Sequence, residues 1–131
     1  MKVPIELVGC EVWRTTFDYQ VRLTLVAHDS DGGYRVNAEL VIETPFLMRE
    51  ESGELHEIDP GNVDTLAPAL RLFMRTVDAL EVGDRGALSI ELRNGSGLFI
   101  GPDTTYESWT LSGHGVESVV VGPGGHDEWQ R

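Results

Sequence analysis

The chain has 131 residues, 40% of them hydrophobic and 24% charged, with a net charge of −12 from 22 acids against 10 bases. This ordinary composition excludes global disorder, and the length suits one domain that buries about two-thirds of its unfolded surface. The acidic balance argues against nucleic-acid and anionic-membrane partners, and no apolar run approaches the ~20 residues of a bilayer span.

The start, Met1–Glu6, meets an acid almost at once and does not read as a signal peptide. Cys10 is the single cysteine, so an internal disulfide is excluded and the expected compartment is a reducing cytoplasm. Beside apolar neighbours it reads as a small buried hydrophobe. Leu7–Thr16 predicts a first strand anchored by Val8, Val12 and Trp13.

Val21, Leu23 and Leu25 alternate with Arg22 and Thr24, and Tyr34, Val36, Ala38, Leu40 and Ile42 alternate with Arg35, Asn37 and Glu39. Two half-buried strands follow from that period, joined at Asp31-Gly32 by a two-residue turn. In this register Ala27 faces Val36, Leu25 faces Ala38 and Leu23 faces Leu40. Thr44-Pro45-Phe46 interrupts the second strand, because proline has no ladder donor. Phe46–Met48 and Leu55–Ile58 then read as short edge strands around Ser52-Gly53.

Leu66, Leu70, Phe73, Val77 and Leu80 recur at three- and four-residue intervals and predict one α-helix over about residues 64–82. Asp64 or Thr65 would cap it, Pro68 would sit in its first turn and Gly83 would end it. Beyond it, Leu88, Ile90 and Leu92 form a strand ending at Asn94-Gly95. A two-residue turn there would set Ile90 against Phe99. A three-residue loop with a glycine bulge, for which Gly97 is available, would keep Leu98 and Ile100 inward. Thr105–Ser112 and Val116–Val121 complete the strands, and residues 126–131 read as a partly disordered tail. The expected fold is a single α+β domain over residues 1–131. It is a mainly antiparallel, strongly curved or barrel-like sheet of about seven to nine strands, with the one helix packed on it.

Chemistry-bearing residues are few. On a strand Glu107 shares a face with Trp109 and Leu111, so Tyr106, Glu107 and Trp109 are candidates for a ligand pocket; alternatively Glu107 pairs with Arg14, Arg22 or Arg93, or points outward. No second catalytic partner has a fixed spacing, so no catalytic residue is assigned and an enzyme is the less expected reading. His56 with Glu54 and Asp59 is one metal-ligating combination. The four histidines lack both the helical pairing and the cysteine company of zinc motifs, so no metal or cofactor is expected. Gly95-Ser96-Gly97, Gly113-His114-Gly115 and Gly122-Pro123-Gly124-Gly125 read as turns.

Charge is uneven. Residues 39–64 hold eight acids and one base, Arg49, a balance of −7. This block reads as a solvated face or as a docking surface for a basic protein partner, with Glu50, Glu51, Glu54 and Glu57 as contacts. A homodimer with Trp13, Trp109 or Trp129 at the contact is a further expectation.

Leu7-Val8-Gly9, Phe17-Asp18, Ile42-Glu43-Thr44-Pro45-Phe46, Ile58-Asp59-Pro60, Tyr106-Glu107-Ser108-Trp109 and Gly122-Pro123-Gly124-Gly125 extend over nearly the whole chain. Together they resemble an uncharacterised bacterial family of small acidic β-rich single-domain proteins, a domain of unknown function. The resemblance implies a cytoplasmic domain with no established activity and carries no catalytic residue onto this chain. By analogy with immunity proteins that neutralise basic nuclease toxins, it gives the acidic block a protein-binding role.

Overall fold

A computed structural model describes residues 3–101, 108–122 and 127–130. The strands are β1 (Glu11–Phe17), β2 (Val21–His28), β3 (Tyr34–Ile42), β4 (Phe46–Arg49), β5 (Leu55–Ile58), β6 (Val77–Val82), β7 (Leu88–Leu92), β8 (Gly97–Ile100), β9 (Trp109–His114), β10 (Ser118–Val121) and β11 (Asp127–Gln130). They form two antiparallel sheets, a first of order β1-β2-β3-β9-β10-β11 and a second of order β5-β4-β8-β7-β6. Both orders are open. The expected barrel-like single sheet is therefore replaced by two sheets whose apolar faces share one core.

That core follows from strict alternation. Leu23, Leu25, Ala38, Leu40, Trp109, Leu111, Val119 and Val121 come from the first sheet, and Phe46, Met48, Ile58, Leu88, Ile90, Leu98 and Ile100 from the second; all are buried. The sheets are also tied by a polar bond: Trp109 Nε1 donates to the carbonyl of Gly86, just before β7, at 2.8 Å. The chain crosses between sheets at Glu43–Pro45, where the proline break separates β3 from β4.

The expected helix is absent. Among the described residues only 3-10 turns occur, at Ile5–Leu7, Val63–Thr65, Ala67–Leu72 and Asp84–Gly86, and residues 77–82 form β6. Two competing effects account for this. Met74 adopts φ 68°, which stops helical propagation. The segment after it is taken up by the edge of the first sheet, with Met74 N donating to Val12 O at 2.8 Å and Val12 N to Arg75 O at 2.9 Å. The helical-looking spacing of Val77 and Leu80 comes from a bulge between Val77 and Ala79, which adds one residue to the strand and turns both side chains inward. Leu70 and Phe73, expected on the buried helical face, are exposed, while Leu72 and Ala69 are buried.

Smaller corrections have similar causes. The β2–β3 register is as expected, with Ala27, Leu25 and Leu23 facing Val36, Ala38 and Leu40. The loop, however, is Ser30-Asp31-Gly32, closed by Asp29 N to Gly33 O at 2.7 Å. The extra loop residue is offset by an irregularity that leaves Arg35 unopposed between the pairs His28–Tyr34 and Ala27–Val36. Arg35 uses that freedom to donate to the carbonyls of Glu6 and Val8. The first strand, expected over Leu7–Thr16, begins only at Glu11; Val12 is buried, but Val8 and Trp13 are exposed, and Leu7 and Cys10, ahead of β1, fill the core instead. The β7–β8 connection has three residues, Arg93-Asn94-Gly95, between Leu92 and Ser96, with Gly95 rather than Gly97 at positive φ. β4 is an interior strand of the second sheet, and only β5 of that hairpin is an edge. Gly113 and His114 lie within β9 and pair with Ala38 and Asn37. A Cβ on Gly113 would come within 2.6 Å of the Asn37 carbonyl, so this crossing of β3 requires glycine.

Candidate functional site

The β4–β5 hairpin concentrates the chain's unusual side chains. Its turn is closed by Glu50 N to Glu54 O and Gly53 N to Glu50 O, both 2.8 Å, with Gly53 at φ 94°. Phe46, Met48 and Glu50 alternate onto the inward face, so Glu50 prolongs an apolar series with a carboxylate. Met48 pairs with His56, which places the imidazole beside Glu50 on the same face. Glu50 is only 6% exposed.

A carboxylate so buried needs compensating charge. Arg71, from the Ala67–Leu72 turn, pairs with Oε1 of Glu50. His56 Nε2 lies 2.9 Å from Oε2, and the exposed Glu54 brings an oxygen to 3.9 Å from the same nitrogen. His56 Nε2 is itself buried and makes no aligned hydrogen bond, so its approach to Glu50 is a contact of charge or dipole. Glu50 and Arg71 form one side of an open cleft of about 440 Å³, with Met48, Glu51, Ser52, Arg75, Asn94 and Ser96 completing its lining. Arg75 is held toward it by donating Nε to the carbonyl of Arg71 at 3.2 Å. The arrangement offers two guanidinium groups and a buried carboxylate to a small polar group.

The second sheet's outer face is different in kind. Glu57, Leu47, Phe99, Ser89 and Glu81 are successive cross-strand neighbours, so they form one row. Leu55, Arg49, Gly97, Glu91 and Ala79 form the next. Leu47 is 41% exposed, Phe99 46% and Leu55 64%. Pro45, Leu47, Glu57 and Phe99 line a shallow depression in the first row. Three carboxylates and one guanidinium accompany these apolar side chains, and Arg49 is already paired with Glu91.

The acidic block from residue 39 to 64 is thus divided. Glu39 pairs with Arg22 on the first sheet, Glu43 accepts from Gln20, and Asp59 accepts from the amide of Gly61. Glu51, Glu54, Glu57 and Asp64 are exposed, whereas Glu50 is internal. Of the other candidates, Trp109 is fully buried between the sheets and bonded to Gly86. Tyr106 and Glu107 lie outside the described residues. The cleft-lining Arg71 and Arg75 are not legible as site residues from sequence, since the helical period places them off the apolar face. The inward phase of Glu50 after Phe46 and Met48 was the available signal.

A family model described as "Family of unknown function (DUF6188)" matches residues 3–130. The chain belongs to that family. Membership accounts for the small β-rich single domain and brings no activity with it. No curated protein and no solved structure matches the chain. Among the described residues, no helix is long and apolar enough to cross a membrane.

Proposed function

We propose that this chain is a non-enzymatic protein-interaction module whose partner is a basic protein, held against the outer face of the second sheet and the β4–β5 hairpin. The observation that carries the reading is the pairing of Leu47 with Phe99 in adjacent strands, both exposed, with Glu57 across the other flank of Leu47. Apolar side chains set among carboxylates suit a partner that brings an apolar anchor ringed by lysine or arginine. Glu51, Glu54 and Glu57 supply charge at the rim, and the net charge of −12 steers a basic partner over longer range. Neutralisation of a basic toxin in a reducing cytoplasm is the specific form that this chemistry suits.

The test is photo-crosslinking in the native cell from a benzophenone side chain placed at Leu47, with Val63 as the exposed comparison site. The reading requires a single basic protein captured from position 47 and not from 63. Equal capture from both positions, or an acidic adduct, would refute it.

A further inference from the structure

Separately from any protein partner, we propose that Glu50, Glu54 and His56 form a binding site for one divalent transition-metal ion of the zinc class. One ligand atom from each lies within 4.8 Å of the other two, with His56 Nε2 2.9 Å from Glu50 Oε2 and 3.9 Å from Glu54 Oε2. Two ligands at about 2.0–2.1 Å from a tetrahedral zinc ion stand roughly 3.3 Å apart. The two separations from His56 bracket that value, and rotation of the exposed Glu54 side chain would bring the three ligand atoms, all within 4.8 Å of one another, around one ion. One imidazole and two carboxylates make a borderline donor set that suits zinc or manganese better than magnesium.

The backbone arranges this without a long-range fold contact. Glu50 and Glu54 face each other across the hairpin turn, held by the 2.8 Å bond from Glu50 N to Glu54 O, and His56 follows Glu54 on the same face. Little backbone freedom remains to be lost on binding.

The enclosure of two of these ligand atoms also suits a cation. Glu50 is more than nine-tenths buried and His56 Nε2 is enclosed without an aligned hydrogen bond, so a ring nitrogen and a carboxylate oxygen face each other in a small space. Arg71 occupies the other oxygen of Glu50 and leaves Oε2 for the ion, in the manner of a supporting partner to a metal ligand. Counting Glu50, Glu51 and Glu54 against Arg71 and Arg75, the surroundings stay negative. Three protein ligands leave a position for water or for a polar group in the neighbouring cleft.

The test is calorimetric titration of the chelator-treated full chain with Zn²⁺, and with Mg²⁺ as the hard-cation comparison. One Zn²⁺ per chain should bind at micromolar or lower dissociation constant, with no comparable heat from Mg²⁺. His56→Gln and Glu54→Gln alter partly or fully exposed side chains and should each weaken binding by at least about tenfold. Glu57→Gln, on the opposite face of the hairpin, should leave it unchanged. Co²⁺ in place of Zn²⁺ should give visible bands that disappear in His56→Gln. Absence of stoichiometric Zn²⁺ uptake, or uptake that survives His56→Gln and is lost in a His28→Gln and His114→Gln double variant, would overturn the proposal; the contact of His56 with Glu50 would then serve the hairpin's packing alone.

Discussion

Arg49 reaches across Gly97 to pair with Glu91, joining β4 to β7 over the strand between them. The bridge depends on the missing side chain. A Cβ at Gly97 would lie 2.9 Å from the carbonyl of Ile90 and 3.0 Å from Nη2 of Arg49. Gly97→Ala should therefore displace the guanidinium and strain the β7–β8 ladder, costing about 1–3 kcal/mol. The drop in urea midpoint, with unchanged slope, measures it. Because the displaced ion pair is itself half exposed, Arg49→Ala alone should cost less than about 1 kcal/mol.

Trp109 ties the two sheets by its indole donor. Trp109→Phe removes that donor and leaves the buried Gly86 carbonyl without it, as well as a space in the core. A loss of about 2–4 kcal/mol is expected from the unsatisfied acceptor and the cavity together. Thermal unfolding followed by circular dichroism reads the effect. A loss below about 0.5 kcal/mol would show that the sheets do not depend on this tie.

Cys10 is buried, and burial pushes its thiol above the ordinary range, opposed in smaller part by the charge and hydrogen bond of Arg35. The sign of the linkage follows. The folded chain keeps the thiol protonated while the unfolded chain releases its proton above about pH 8.5, so the associated stability is complete below that pH and is lost as pH rises. The stability difference between the native chain and Cys10→Ala should accordingly narrow between about pH 8 and 10. Alkylation at pH 8 should be at least about tenfold slower in the folded chain than in urea.

The legible parts of this fold were those in which side-chain period and turn chemistry agree. The β2–β3 register was readable because Leu23, Leu25, Ala38 and Leu40 alternate without interruption. The helix failed because a bulged strand gives Val77 and Leu80 the spacing of a helical face, and because the edge of β1 recruits residues 74–77, a long-range effect no local window contains. The hairpin site was half legible. Glu50, Glu54 and His56 were each readable as notable residues, but grouping Glu50 with His56 requires the pairing of β4 with β5. Arg71 enters only through the packing of a 3-10 turn against that hairpin.

The proposed partner surface is tested most directly by the affinity of the protein captured at Leu47, measured by calorimetry at about 50 and 200 mM salt. With Glu51→Lys, Glu54→Lys and Glu57→Lys combined, the dissociation constant should rise by at least about tenfold at low salt, and most of the salt dependence should vanish. Phe99→Ser should weaken binding at both salt concentrations by a similar factor. Unchanged affinity in the triple charge reversal and in Phe99→Ser would contradict the account.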